Sequence, residues 1–97
     1  MATHILLVRY TQKGIENIKE TLARHDDAVK AFKAMGAELK EMYLVMGQYD
    51  LVLVAEAPDD ETITKLVLSL GSKGTVRTET LRAYTEAEYR KIIAALP

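Results

Sequence analysis

Gly47-Gln48-Tyr49-Asp50, followed by Leu51-Val52-Leu53-Val54-Ala55-Glu56-Ala57-Pro58-Asp59-Asp60, is the stretch that decides the fold. Gly47 supplies the positive φ that short hairpin connections often need. The aliphatic run from Leu51 to Glu56 then reads as a strand, because it is short, branched and bounded by turn signals. Pro58 ends it. Asp59 or Asp60 caps the next helix by placing a carboxylate on free backbone N–H groups.

Upstream of the hairpin, Glu38 to Met46 alternates weakly and forms its first strand. Thr3 to Tyr10 is apolar and β-branched at its centre and predicts another strand. Thr11-Gln12-Lys13-Gly14 breaks it, and from Ile15 the apolar spacing turns helical through Ile18, Leu22, Val29, Phe32 and Met35. Arg24-His25-Asp26-Asp27 interrupts that stripe. One long helix fits, and so does a short helix to about Glu20 followed by a longer one capped near Thr21, which we prefer. Gly36 suits the left-handed residue that stops it. Downstream, Ile63, Leu66, Val67 and Leu70 share a helix face closed by Gly71. Thr75 to Tyr84 is a fourth strand. Thr85-Glu86-Ala87-Glu88 is a capping box opening a last helix striped by Tyr89, Ile92, Ile93 and Leu96.

The order β-α-β-β-α-β-α, with right-handed crossovers and one hairpin, leaves few sheets to consider. The reading is α+β: a ferredoxin-like βαββαβ antiparallel sheet, strand order 4-1-3-2, with a C-terminal helix, as one domain over residues 1–97. The first and third strands then lie in the centre, and helices cover only one face. Yet both parities of these strands are apolar: Leu6 and Val8 against Ile5 and Leu7, Leu51 and Leu53 against Val52 and Val54. About four large aliphatics facing water forfeit on the order of 6–12 kcal/mol, as much as a small domain's whole stability. Something covers that face. A second copy of the sheet, making a dimeric α+β barrel, is the stronger reading; the C-terminal helix could fold over it or cross to a partner.

The 97 residues are 48% hydrophobic and 28% charged, as in ordinary soluble domains. A net charge of -1, with Lys and Arg dispersed among acids, argues against nucleic acid as a partner. There is no cysteine, so disulfides and thiolate chemistry are excluded, which suits a reducing cytoplasm. No cationic segment precedes the first apolar run, so a signal peptide is not expected. No apolar run approaches the ~20 residues that span a bilayer.

Thr11 to Lys19, Arg24, Gly36, Gly47-Gln48-Tyr49-Asp50, Glu56 to Asp60 and Val76 to Ala83 together resemble the small GYD-domain proteins, over nearly the whole chain. The eponymous tripeptide is stretched here to Gly-Gln-Tyr-Asp. The resemblance implies a ferredoxin-like, oligomeric α+β domain in a family named for sequence rather than activity. Gly47 to Leu81 is also similar to the effector-binding domain of leucine-responsive transcription regulators. That second resemblance implies small-molecule binding between subunits, without DNA binding, since no helix-turn-helix precedes the first strand.

Strand three runs antiparallel to strand one, which places Asp50 near Arg9, with Arg77 at the same end. Arg9, Tyr49, Asp50 and Arg77 are therefore the candidate ligand-binding residues, for a small anionic or zwitterionic metabolite, since guanidinium forks match carboxylates. The bland alternative is that Asp50 holds turn N–H groups and Arg9 neutralises it. At the opposite end, His4 with Glu56 could form a base and its orienter. An N-terminal histidine on the sheet edge is the plainer reading, as no nucleophile or oxyanion donor accompanies it. His25, Asp26 and Asp27 read as a solvated cap rather than metal ligands, since adjacent helical residues diverge. Met35, Met42 and Met46 read as core or interface filler. Gly71-Ser72-Lys73-Gly74 lacks the pattern of a phosphate loop.

The expectation is a non-catalytic homo-oligomeric module that binds a small metabolite and needs no metal or cofactor. The alternatives are a cofactor-free enzyme with its reaction between helices and sheet, or a subunit that stacks through the edge strand Val76 to Leu81.

Overall fold

Alternation in burial along two central strands organises the whole molecule. The computed structural model describes residues 1–97. The chain runs β1 (Ala2–Tyr10), α1 (Gln12–Glu16), a 3-10 turn (Ile18–Glu20), α2 (Thr21–Ala34), β2 (Glu38–Leu44), β3 (Leu51–Ala57), α3 (Asp60–Ser72), β4 (Val76–Ala83) and α4 (Glu86–Ala94). The four strands form one antiparallel sheet ordered β2-β3-β1-β4, the expected 4-1-3-2 order read from the other edge. No helix is long and apolar enough to cross a membrane.

The register separates two faces. Leu6 lies opposite Leu53, His4 opposite Ala55 and Ala2 opposite Ala57. Leu6, Leu53, Ala55 and Ala57 form the core with Phe32 of α2 and with Ile63 and Leu66 of α3. On the reverse face Ile5 pairs with Val54 and with Leu81, and Leu7 with Val52 and Glu79. Nothing in the chain covers this second face: Ile5, Leu7, Val52 and Val54 stay partly exposed and Leu81 is 45% exposed.

α4 does not supply the cover. Its capping box forms as the sequence predicts, with Thr85 Oγ1 accepting from the Glu88 N–H and Glu88 Oε1 accepting from the Thr85 N–H. None of its residues is buried, and Tyr89, Ile92, Ile93 and Leu96 all stand in solvent. The result is an elongated body of 51 × 31 × 17 Å with a radius of gyration of 14.6 Å, against about 12.5 Å for a compact chain of this length. Its accessible surface is 6620 Å², where a compact monomer of 10.8 kDa shows about 5,500 Å².

Three local expectations are corrected. Thr21 does not cap α2; Glu20 precedes the helix without a side-chain cap, and the Thr21 hydroxyl instead meets the Tyr10 hydroxyl at 2.7 Å. Gly71 does not end α3, which continues to Ser72; Gly74, at φ 80°, makes the left-handed turn into β4. Ile15, Ile18 and Leu22 continue the apolar spacing of α2 but remain exposed. α1 follows the end of β1, where the Thr11 N–H donates to the Thr75 carbonyl, and the side of α2 turned to the sheet carries Thr21, Arg24, His25, Ala28 and Phe32, which leaves Leu22 pointing away. The remaining caps follow the sequence: Asp59 Oδ1 accepts from the Thr62 N–H at 2.8 Å, and Gly47 takes φ 114° in the hairpin.

Candidate functional site

The hairpin rim is built by β1, the turn at residues 47–50 and the start of β4. Arg9 and Arg77 are directly opposed in the β1–β4 register, so two guanidinium side chains leave the open face side by side. Like charges so placed repel unless something negative lies between or beside them. Arg9 is held by its Nε–H, which donates to the Gln48 carbonyl at 2.7 Å, and by the Tyr49 ring, whose centroid lies 4.6 Å from the guanidinium carbon. The Tyr49 hydroxyl donates to Glu79 at 3.1 Å. That hydrogen bond, chiefly, pushes the Tyr49 phenol above its ordinary value, because the proton is shared with a carboxylate.

Asp50 is committed differently. Its Oδ2 accepts from the Tyr10 backbone N–H at 2.9 Å, while its own N–H donates to the Val8 carbonyl at 2.9 Å. It closes the end of the β1–β3 ladder through the backbone of β1 rather than of its own turn, and Arg9 bonds the Gln48 carbonyl instead of pairing with it. Arg9, Tyr49 and Arg77 thus gather on the rim, with Glu79 added to the set. Asp50 stands behind them as a backbone clamp.

The His4–Glu56 pairing is not formed. Glu56 lies opposite Thr3, and His4 lies opposite Ala55, so the two side chains leave opposite faces of the sheet. His4 is not on an edge: β1 is central and the ring is 1% exposed beneath the helices. Its Nε2 is 3.4 Å from Asp60 Oδ1 in the first turn of α3, and its Nδ1 has no partner. His25 borders a cleft on the helix side while Asp26 and Asp27 face solvent; no group of three or more potential ligands converges anywhere in the chain.

That helix-side cleft is the feature the sequence reading missed. It opens between the start of α2, the end of α3 and the sheet, and Arg24, His25 and Lys73 line it together with Tyr10 and Thr21. The available signal was the run Arg24-His25, charged where the apolar stripe of α2 would otherwise continue. Nothing in the sequence marked Lys73 or Tyr10 as its neighbours.

A four-stranded antiparallel sheet with helices on one face defines an α+β protein of the ferredoxin-like class. Its resemblance to solved structures agrees. The Thermus thermophilus protein TTHA0845 superposes with a TM-score of 0.55 at 29% identity, over 88% of this chain and 95% of that one. A hypothetical protein of Pyrococcus horikoshii, at 23% identity and TM-score 0.54 over 89% and 93% of the two chains, shares the fold.

The chain belongs to the GYD-domain family, whose model matches residues 4–93. A relative from Thermus thermophilus, 34% identical over 93 residues and spanning 91% of this chain and 94% of its own, is named a glutamine synthetase and cystathionine beta-lyase binding protein.

Proposed function

We propose that this protein is a homo-oligomeric, non-catalytic binding module that attaches to metabolic enzymes. One observation carries the oligomer: the isolated chain exposes about 1,100 Å² more surface than its mass calls for, an area of the size one partner buries in a specific interface. That surface includes the open sheet face, with Tyr43 and Leu81, and α4, with Tyr89, Ile92 and Ile93. Two copies placed sheet to sheet would remove Ile5, Leu7, Val52, Val54 and Leu81 from water together. The attachment to enzymes draws on the role for which the Thermus thermophilus relative is named.

A small anionic or zwitterionic metabolite suits the rim, between Arg9 and Arg77 with Tyr49 alongside. Two opposed guanidiniums repel each other less when they share a carboxylate. Sedimentation equilibrium of the purified chain tests the oligomer, and a single-chain mass at micromolar concentration overturns it. Mixing with purified glutamine synthetase and with cystathionine β-lyase in sedimentation velocity tests the attachment; free migration of all components at tens of micromolar overturns that part. Titration with glutamate and other amino acids, compared between the wild type and Arg77→Gln, tests the rim.

A further inference from the structure

The geometry points to a second binding site, on the opposite side of the sheet from the rim: the helix-side cleft takes an amphipathic monocarboxylate, its apolar body on the sheet and its carboxylate at Arg24. The inference goes beyond the oligomer and the enzyme attachment and needs neither.

The floor of the cleft is aliphatic. Val8 and Leu53 come from the central strands, Leu51 from the start of β3, Leu70 from α3 and Val76 from β4. The enclosed space is about 70 Å³, in a cleft of about 610 Å³ that is otherwise open to solvent. An apolar floor of this kind favours a hydrocarbon chain or an aryl ring and gives no polar metabolite a reason to enter.

The lip has one sign of charge. Arg24, His25 and Lys73 line it, and no Asp or Glu does. Arg24 is the distinctive group. Its side chain is only 22% exposed. Nη1 donates to the Asn17 carbonyl at 3.0 Å, and Glu20, itself 71% exposed, comes no nearer than 3.9 Å. Nη2 is buried with no hydrogen-bond partner. A buried guanidinium nitrogen without an acceptor is uncommon, and a small turn of the Arg24 side chain toward the cleft it lines brings that nitrogen to a carboxylate, for a charge-assisted bond.

The hydroxyl pair beside it adds a neutral donor. Tyr10 and Thr21 share one bond of 2.7 Å, in which a single proton is used. Whichever hydroxyl accepts keeps its own proton to give to a second oxygen. Arg24 and this hydroxyl therefore offer two donors to one anionic head, above a floor that takes the tail. The chemical class follows: one negative charge, an acceptor-only head, and an apolar body.

Octanoate is the probe, with octanol as the uncharged analogue and glutamate as the polar one, titrated by calorimetry into the full-length chain. Octanoate binds with saturable heat and raises the Tm; octanol binds at least about tenfold more weakly, because it offers no charge to Arg24; glutamate, which suits the rim, leaves the methyl shifts of the cleft unmoved. Arg24→Gln weakens octanoate by about tenfold or more at unchanged sedimentation mass. Lys73→Met weakens it less, and Thr78→Leu, which fills the cleft from β4, abolishes it. If Arg24→Gln fails to fold, the other two variants carry the test. Methyl chemical shifts of Val8, Leu51 and Leu70 move on titration, while those of Ile5 and Val54 on the reverse face do not. Absence of octanoate binding, equal affinity for octanol, undiminished binding in Lys73→Met and Thr78→Leu, or shifts confined to the reverse face would each overturn the assignment. Sedimentation of the same samples reads the oligomer separately, so either reading can fail alone.

Discussion

Replacing Val54 by glutamate separates a covered sheet face from an open one. Val54 sits between Ile5 of β1 and, on the β2 side, Glu41, and Ile5 in turn faces Leu81 of β4. In an isolated chain the position is already partly exposed, so the substitution costs about 1–2 kcal/mol, from β-propensity and from the Glu41 carboxylate directly opposite. In a sheet-to-sheet dimer the same carboxylate is shut between Ile5, Glu41 and the partner's open face, without a cation in the row. An unpaired buried charge there costs several kcal/mol. Taking about 4 kcal/mol, self-association weakens by about a thousandfold, since each 1.4 kcal/mol is a factor of ten. A twofold interface contains the substitution twice, so this figure is a lower bound. The assay is light scattering behind size exclusion over a hundredfold range of concentration, with circular dichroism to follow the fold. The variant is expected to run as a folded monomer whose Tm no longer rises with concentration, whereas the Tm of the wild type does. An unchanged oligomer mass in Val54→Glu would refute the assignment of this face.

Three further outcomes follow from the monomer alone. Gly14→Ala drives a methyl group into the Thr75 carbonyl oxygen and the Tyr10 ring, and is expected to lower stability in urea by about 1–3 kcal/mol, with α1 and the start of β4 losing hydrogen-exchange protection. Asp50→Ala leaves the Tyr10 N–H without its acceptor, and about 1.5–3 kcal/mol of unfolding free energy is expected to go with it, read from the denaturation midpoint at constant slope. Helix caps set the acid response. The Thr62 hydrogen bonds hold the Asp59 carboxyl below its ordinary 3.8, and the Thr85 N–H holds that of Glu88 below 4.5. Both groups stabilise the fold above those values and lose their contribution as the pH falls through the lowered ones. The Tm is expected to fall below about pH 4.5, and less steeply in Asp59→Asn, whose amide still caps but does not titrate.

The sheet was readable from the chain because its evidence is local and redundant. Leu51 to Ala57 is bounded by Gly47 and Pro58, and the apolar character of both parities in β1 and β3 belongs to central strands. The rim was readable for the same reason: once strand order is known, the register alone brings Arg9 to Arg77. His4 was misplaced because facing depends on single-residue register; Glu56 pairs with Thr3, one step away, and that step turns it to the other face. The cleft was not readable at all. It needs Tyr10 beside Thr21, eleven residues on, and Lys73 brought up by the turn after α3, and no periodicity encodes that meeting. Apolar spacing misled at Ile15, Ile18 and Leu22, since the side of α2 that meets the sheet near its start carries Thr21, Arg24 and His25 instead.

α4 carries its own means of staying helical. Besides the capping box, Arg90 donates to Glu86 one turn earlier at 3.0 Å, and the segment leans on no other part of its own chain for burial. An appendage of this kind is modular: cutting the chain after Tyr84 should leave the four strands and their core standing, while removing the exposed Ile92, Ile93 and Leu96. The body and this appendage can therefore be varied independently, since the core draws no burial from α4.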